Sequence, residues 1–229
     1  IAKQFSGLRV TEDIVKDALK NLGLDDKQII KWEDSDLKKL MQYFRIRTKP
    51  IIIAANKADV PGAKENFDRI KKEFPNYIII PCSAESEFAL KGADKAQLIN
   101  YVPGESDFKI SDETKINDKQ KQGLSFIKEK MLDNFGSTGI QDVLNKAVFE
   151  LLKYVAIFPA GDKLCDSDGN VLPDCFLLPE GTTALSFAYH LHTDLGDNFV
   201  RAVDIRTKQS MKKDQLLKHR DMVEILHSK

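Results

Sequence analysis

The sequence predicts an α/β unit on a parallel sheet, preceded by helices and followed by a small α+β domain. Three observations predict it. Two short apolar, β-branched runs, IIIAAN at 51–56 and YIIIPCS at 77–83, flank a helical stretch, the pattern of a strand–helix–strand unit. Residues 1–48 carry helical periodicity alone, and residues 155–229 alternate short strand-like runs with Gly, Pro and Asp around one helix. The expected divisions are therefore 1–48, 49–154 and 155–229.

In chain order, Thr11 is placed to cap TEDIVKDALKNLG, with Ile14, Leu19 and Leu22 at helical spacing and Gly23 as the stop. Asp34 or Ser35 can cap DLKKLMQYFRI, whose apolar stripe is Leu37, Leu40, Met41 and Phe44, so a helical hairpin is expected. The pattern changes at Lys49-Pro50. IIIAAN reads as a strand buried on both faces, and Pro61 precedes a helix, GAKENFDRIKKEF, that stops before Pro75. YIIIPCS is the second strand, joined by a crossover expected to be right-handed. Residues 88–117 are polar and turn-rich, and read as a long irregular connection with room for one helix over ADKAQLINY. Helical spacing returns in DKQKQGLSFIKEKMLDNFG. In STGIQDVLNKAVFELLKYV, Thr138 and Gln141 have the spacing of a capping box. Beyond it, YVAIFPAG, KLCDSDGNVLPDCFLLP, FVRAVDIRT and DMVEILHSK read as strands around the helix TALSFAYHLHTDLG.

Composition excludes several classes. Lys plus Arg equals Asp plus Glu at 35 each, so a nucleic-acid partner would have to use a local patch instead of a global field. No run reaches the ~18 apolar residues of a membrane span, so no membrane partner is expected. The first ten residues lack the apolar core of a secretory signal. Three scattered cysteines make no scaffold and no zinc spacing, which fits a reducing cytosol. Cys165 and Cys175 flank a turn-rich stretch across which pairing stays open. The chain starts at Ile1 without an initiator Met, so it is expected to begin inside a longer protein.

The chemistry concentrates in Asn56-Lys57-Ala58-Asp59, directly after the first buried run. Ligands of open α/β sheets bind beyond the carboxyl ends of the strands, where this loop must lie. An ionised Asp accepts two parallel hydrogen bonds, and guanine offers two adjacent donors, N1–H and the exocyclic amine. Adenine has an acceptor at its N1 and would leave that carboxylate unpaired, at a cost of about 1–3 kcal/mol. Lys57 can lay its aliphatic stem over the base, and Asn56 can brace the loop and reach the purine edge. Such a tetrapeptide in isolation is an ordinary polar turn. What raises it above that is Cys82-Ser83-Ala84-Glu85 at the end of the next strand, a neighbouring loop in a parallel sheet. There Ser83 and Ala84 can offer backbone N–H groups to the base carbonyl.

NKAD followed by PCSAESE resembles the fourth and fifth signatures of TRAFAC-class P-loop GTPases. LPEGTTALSFAYHLHTDLGDNFVRAVD is similar to a TGS domain, a β-grasp module shared with threonyl-tRNA synthetases and stringent-response enzymes. Together with the helical insert at 1–48, the whole chain resembles the archaeal Obg/YchF-type GTP-binding proteins. The resemblance implies a partial P-loop GTPase sheet (49–154) joined to a TGS domain (155–229), GTP as ligand, and ribosome or RNA as a partner of the TGS domain. Many YchF-group members carry Glu at the last motif position and prefer ATP; Asp59 points to GTP. The departure is equally plain. The chain holds no GxxxxGK[ST] run to cradle phosphates and no DxxG-like segment before Asn56. GTP hydrolysis and Mg²⁺ are therefore expected only of a full-length protein, and no residue here is expected to be catalytic.

Three further features compete with blander readings. His190 and His192 are two apart on a helix, where side chains do not share a face, so packing or capping is expected instead of a metal. Asp166-Ser-Asp168-Gly169-Asn170 lacks the Gly position and distal Glu of a calcium loop and reads as a hairpin turn. Arg206, Lys208, Lys212, Lys213, Lys218, His219 and Arg220 form a basic run that is either a solvated face or a patch for RNA phosphates; no aromatics interleave, so base stacking is not indicated. The rival function is a non-enzymatic binding module in which TGS contact with RNA or the ribosome is the whole activity. A TGS-bearing enzyme of another class would need catalytic motifs that the sequence does not contain.

Overall fold

The computed structural model describes residues 1–161, 164, 170–171 and 174–228. They form two compact units, Ile1–Leu144 and Asn145–Lys229. The hairpin-turn reading of 166–170 and any pairing of Cys165 lie largely or wholly outside the described residues.

The first unit opens with a short helix α1 (Ala2–Phe5), then α2 (Glu12–Asn21) and α3 (Asp34–Thr48). Thr11 caps α2 as its position predicts, its hydroxyl accepting from the Ile14 amide at 3.3 Å. The α3 cap is Glu33 rather than Asp34 or Ser35, because the Asp36 carboxylate reaches back to the Glu33 amide (3.0 Å) and completes a reciprocal box. Val10, Ala18, Leu40 and Phe44 are buried between the helices, with the Phe5 and Phe44 rings 6.1 Å apart. Leu37 and Met41 of the expected stripe stay exposed, since a single facing helix covers only the Leu40–Phe44 line.

β1 (Ile52–Asn56), α4 (Ala63–Glu73) and β2 (Ile78–Cys82) make the strand–helix–strand unit, with parallel register running from Ile52↔Ile78 to Asn56↔Cys82. Burial of both strands was the expectation. β2 meets it at Ile79, Ile80 and Cys82, but β1 is half-exposed, because among the described residues it is flanked by β2 alone. Burial also pushes the Cys82 thiol up from its ordinary range.

The stretch after β2 is more ordered than its polarity implies. α5 spans Ala84–Lys95, and β3 (Ile99–Asn100) pairs antiparallel with β4 (Lys109–Ile110), so ADKAQLINY is a helix end and a strand, not a helix. α6 (Asp118–Ile127) starts at an Asn117–Gln120 capping box, continues through a π-turn into α7 (Asp133–Phe135) and stops at Gly136 with φ 80°. Leu90, Ile99, Leu124, Ile127 and Leu132 form the core beneath it. α8 (Ile140–Asn145) follows.

In the second unit, β5 (Tyr154–Pro159), β6 (Phe176–Pro179), β7 (Phe199–Asp204), β8 (Ser210–Met211) and β9 (Asp221–His227) build one sheet in the order β6-β5-β9-β7-β8. β5 and β9 are parallel and the other pairs antiparallel. α9 (Ala184–Leu191) and α10 (Thr193–Asp197) cross the sheet, and Phe187, Ile157 and Val223 form a fully buried centre. The single expected helix breaks at His192, whose backbone is extended and whose Nδ1 accepts from the Asp194 amide at 3.2 Å, capping α10. His190 meets the Phe176 ring edge-on at 5.5 Å. No helix among the described residues is long and apolar enough to cross a membrane.

Candidate functional site

Asn56 is the last residue of β1, and its side chain organises the loop that follows. Its Oδ1 accepts from the Lys57 amide at 2.9 Å and from the Ala84 amide at 3.1 Å. One amide oxygen thus ties the Asn-Lys-x-Asp loop to the turn after β2, and the Nδ2 group of Asn56 is left pointing its donors elsewhere. Lys57 sits in the left-handed region at φ 67°, an uncommon conformation for a side-chain-bearing residue, held by that bond and by the Val60 amide donating to its carbonyl at 3.3 Å. The Ala58 amide donates to the Cys82 carbonyl at 3.0 Å, so the loop is fastened to β2 a second time.

Asp59 is half-buried and takes no hydrogen bond or ion pair from the described residues. It lines a cleft with Gly62 and Lys64 beside it and Phe126, Lys130 and Asn134 from α6 and the turn beyond. Its acceptor oxygens therefore remain available to a ligand with paired donors. The structure joins Asn56, Lys57 and Ala84 directly; Asp59 opens on the α6 side of the same loop.

Ser83 and Ala84 are placed differently from the sequence expectation. The Ser83 amide donates to the Thr138 carbonyl (2.9 Å), and the Ala84 amide is the one that Asn56 takes. Both N–H groups intended for a base carbonyl are thus already used. The buried Ser83 hydroxyl accepts from the Ser86 amide at 3.2 Å and caps α5.

Beneath this turn lies a polar cluster that sequence reasoning missed. Glu87, a buried carboxylate on α5, accepts from the Tyr101 hydroxyl (2.8 Å) and the Thr138 hydroxyl (2.5 Å), both on Oε2. Burial, reinforced by the Glu87 bond, pushes the Tyr101 phenol up to about 12. Thr138 is fully buried and does not cap α8, contrary to the expected box with Gln141; Ser137 instead accepts from the Gly139 amide at 2.9 Å. Gly139 has φ 79°, and a Cβ there would lie 2.0 Å from the Pro81 carbonyl oxygen, so only glycine lets 137–139 approach β2 this closely. The acidic-looking run SAESE gives no sequence signal that its second acidic residue, Glu87, faces inward, apart from its spacing one turn after Ser83.

In the second unit, the basic run divides. The Arg206 guanidinium donates to the Arg220 carbonyl at 2.6 Å and lies 3.7 Å from Asp221, so it is committed to the fold. The His219 ring accepts from the Ala156 amide at 3.1 Å and sits 4.5 Å from Phe149. Lys212, Lys213, Lys218 and Arg220 are exposed, with no side-chain ion pair among the described residues; Lys208, also exposed, has a contact of its own. No group of three metal-ligating side chains occurs among the described residues.

A strand-end Asn-Lys-x-Asp loop fastened to the next strand's turn, followed by a five-stranded sheet under a helix, defines the class. Residues 54–162 match the Obg-like GTPase YGR210-like, G4 motif-containing domain, and residues 157–227 match the TGS domain. Residues 54–227 thus match an Obg-like G4-motif domain joined to a TGS domain. It is 45% identical over 225 residues, 97% of its length, to an uncharacterized GTP-binding protein of Methanocaldococcus jannaschii, of which it spans 56%. It is 32% identical over 80% of its length to an uncharacterized GTP-binding protein of Schizosaccharomyces pombe, of which it spans 47%. The chain thus covers about half the length of these relatives. The crystal structure of a GTP binding protein from Pyrococcus horikoshii OT3 superposes with a TM-score of 0.72 at 38% identity, over 99% of this chain and 60% of that one.

Proposed function

We propose that this chain is the base-reading and TGS-bearing part of a GTP-binding protein of the Obg/YchF type. The observation that carries the reading is the Asn56 side chain, which locks the Asn-Lys-x-Asp loop to the Ser83–Ala84 turn while the Asp59 carboxylate, in a cleft, takes no partner among the described residues. Asp59 would accept from guanine N1–H and the exocyclic amine, Asn56 Nδ2 would donate to the purine edge, and the Lys57 stem would cover one face. The names of the relatives, each called a GTP-binding protein, support the same ligand. Phosphate cradling and Mg²⁺ binding are assigned to residues outside these 229, which contain no GxxxxGK[ST] run. GTP hydrolysis, a P-loop function, is then a property of the longer protein. Titration of this chain with fluorescent mant-GDP and mant-ADP tests the reading: weak binding with a clear guanine preference is expected, and equal binding of the two refutes it.

The TGS domain, which matches over 157–227 and which we read as 155–229, is assigned to RNA or ribosome contact in the cytoplasm, with the exposed Lys212, Lys213, Lys218 and Arg220 facing phosphates. Lys208 belongs to the same exposed run, while Arg206 supports the loop from behind. Reversing Lys212 and Lys213 to Glu is expected to weaken RNA binding and lower the slope of log affinity against log salt by about 2. A slope equal to that of the parent chain would remove this patch as the phosphate contact.

A further inference from the structure

The Asn56 loop is held by its own bonds, but the Ser83–Ala84 turn that it grips is also held from beneath. A turn whose two amides face different partners, Thr138 on one side and Asn56 on the other, keeps its position only while both partners are fixed. Asn56 is fixed by β1. Thr138 belongs to the 137–139 segment, which is fully buried, and its carbonyl is aimed at Ser83 only if its side chain is anchored. The anchor is Glu87: its Oε2 accepts the Thr138 hydroxyl and the Tyr101 hydroxyl together. Tyr101 is in turn held by its own amide donating to Asp94 at 3.0 Å. The carboxylate therefore gathers α5, the β3 end and the 137–139 segment at one atom, one helical turn below Ser83.

We infer that Glu87, acting through the Thr138 hydroxyl, is the positioning residue that keeps the Ser83–Ala84 turn in register with the Asn56 loop. This deepens the guanine-reading proposal and rests on it for its functional consequence. The structural consequence stands separately, because it concerns bonds within the protein. Removing the Thr138 hydroxyl leaves Glu87 short of a donor and frees the 137–139 segment to shift, so the Ser83 amide loses its fixed acceptor and the turn is free to move against Asn56, the acceptor of the Ala84 amide. Restoring a hydroxyl restores the arrangement, since only the donor matters to the carboxylate.

The test compares Thr138→Val with Thr138→Ser in the whole 229-residue chain, alongside the parent. Amide ¹H–¹⁵N spectra and hydrogen exchange read the turn directly. With Val at 138, the Ser83 and Ala84 resonances are expected to move and their exchange to accelerate about tenfold, the worth of one net hydrogen bond. With Ser they are expected to return to the parent values. A general loss of stability would instead raise exchange throughout β2 and α5 alike in both variants. Mant-GDP titration reads the function: about tenfold weaker binding for Val and near-parent binding for Ser. Unmoved Ser83 and Ala84 amides in Thr138→Val, or equal effects of Val and Ser, overturn the inference while leaving guanine reading intact. Amides that move as expected in a chain with no preference for guanine support the positioning role and sink the guanine-reading proposal.

Discussion

Replacing Asp59 with Asn is expected to cost this chain on the order of a hundredfold in guanine-nucleotide affinity, because one charge-assisted hydrogen bond becomes neutral and the other becomes a donor facing a donor. Asn presents one acceptor and one donor where the carboxylate presents two acceptors, so guanine N1–H keeps a partner and the exocyclic amine meets another N–H. Xanthine, with a carbonyl in place of that amine, becomes the matched base. Parallel titrations with guanosine and xanthosine diphosphates should show the preference inverting between the parent and Asp59→Asn. The half-buried position of Asp59 and its lack of a partner among the described residues are what make a large effect expected, because none of their bonds compensates for the change. Undiminished guanine affinity would take Asp59 out of base recognition.

Truncating Phe187 to Ala is expected to destabilise the second unit by about 3–5 kcal/mol, the usual range for deleting a buried aromatic ring. Phe187 has no exposed surface, packs its ring 6.0 Å from that of Phe176 in an edge-to-face arrangement, and lies among Val155, Ile157, Leu178 and Val223. Small domains have little stability to spare, so a loss of this size approaches the whole margin. Urea unfolding followed by circular dichroism should show a clearly lower midpoint for Phe187→Ala, and hydrogen exchange should localise the loss to β5 and β9. A midpoint within error of the parent would mean that the helix–sheet core is not what holds this unit together.

Much of the architecture was legible because apolar periodicity and capping chemistry are local. Thr11, Asn56 at a strand end and the two isoleucine-rich runs all occupy the positions that their neighbours dictate. The parts that were not legible depend on partners distant in sequence. Ser83 reads as a loop residue offering its amide to a ligand, but the Thr138 carbonyl, far along the chain, takes that amide, while the Ser83 hydroxyl caps α5. Thr138 in turn matched a capping box, but the buried Glu87 claimed its hydroxyl. His192 lay within a helical pattern, yet its imidazole makes a better cap for α10 than its backbone makes a helical link. Arg206 shows the same limit in the basic run: a side chain counted among surface charges is spent on a backbone carbonyl of the neighbouring loop.

The position of β9 in its sheet governs how the second unit can be assembled. It lies between β5 and β7, pairing Ile157 with Asp221 on one side and Ala202 with Ile225 on the other. During synthesis β5, β6, α9, β7 and β8 are all made before this central strand exists, so the nascent chain holds two unjoined strand pairs, β5–β6 and β7–β8, and Phe187 lacks its contact with Val223. Closure must wait for a strand inserted into the middle instead of added at a rim, a long-range step expected to slow the folding of this unit.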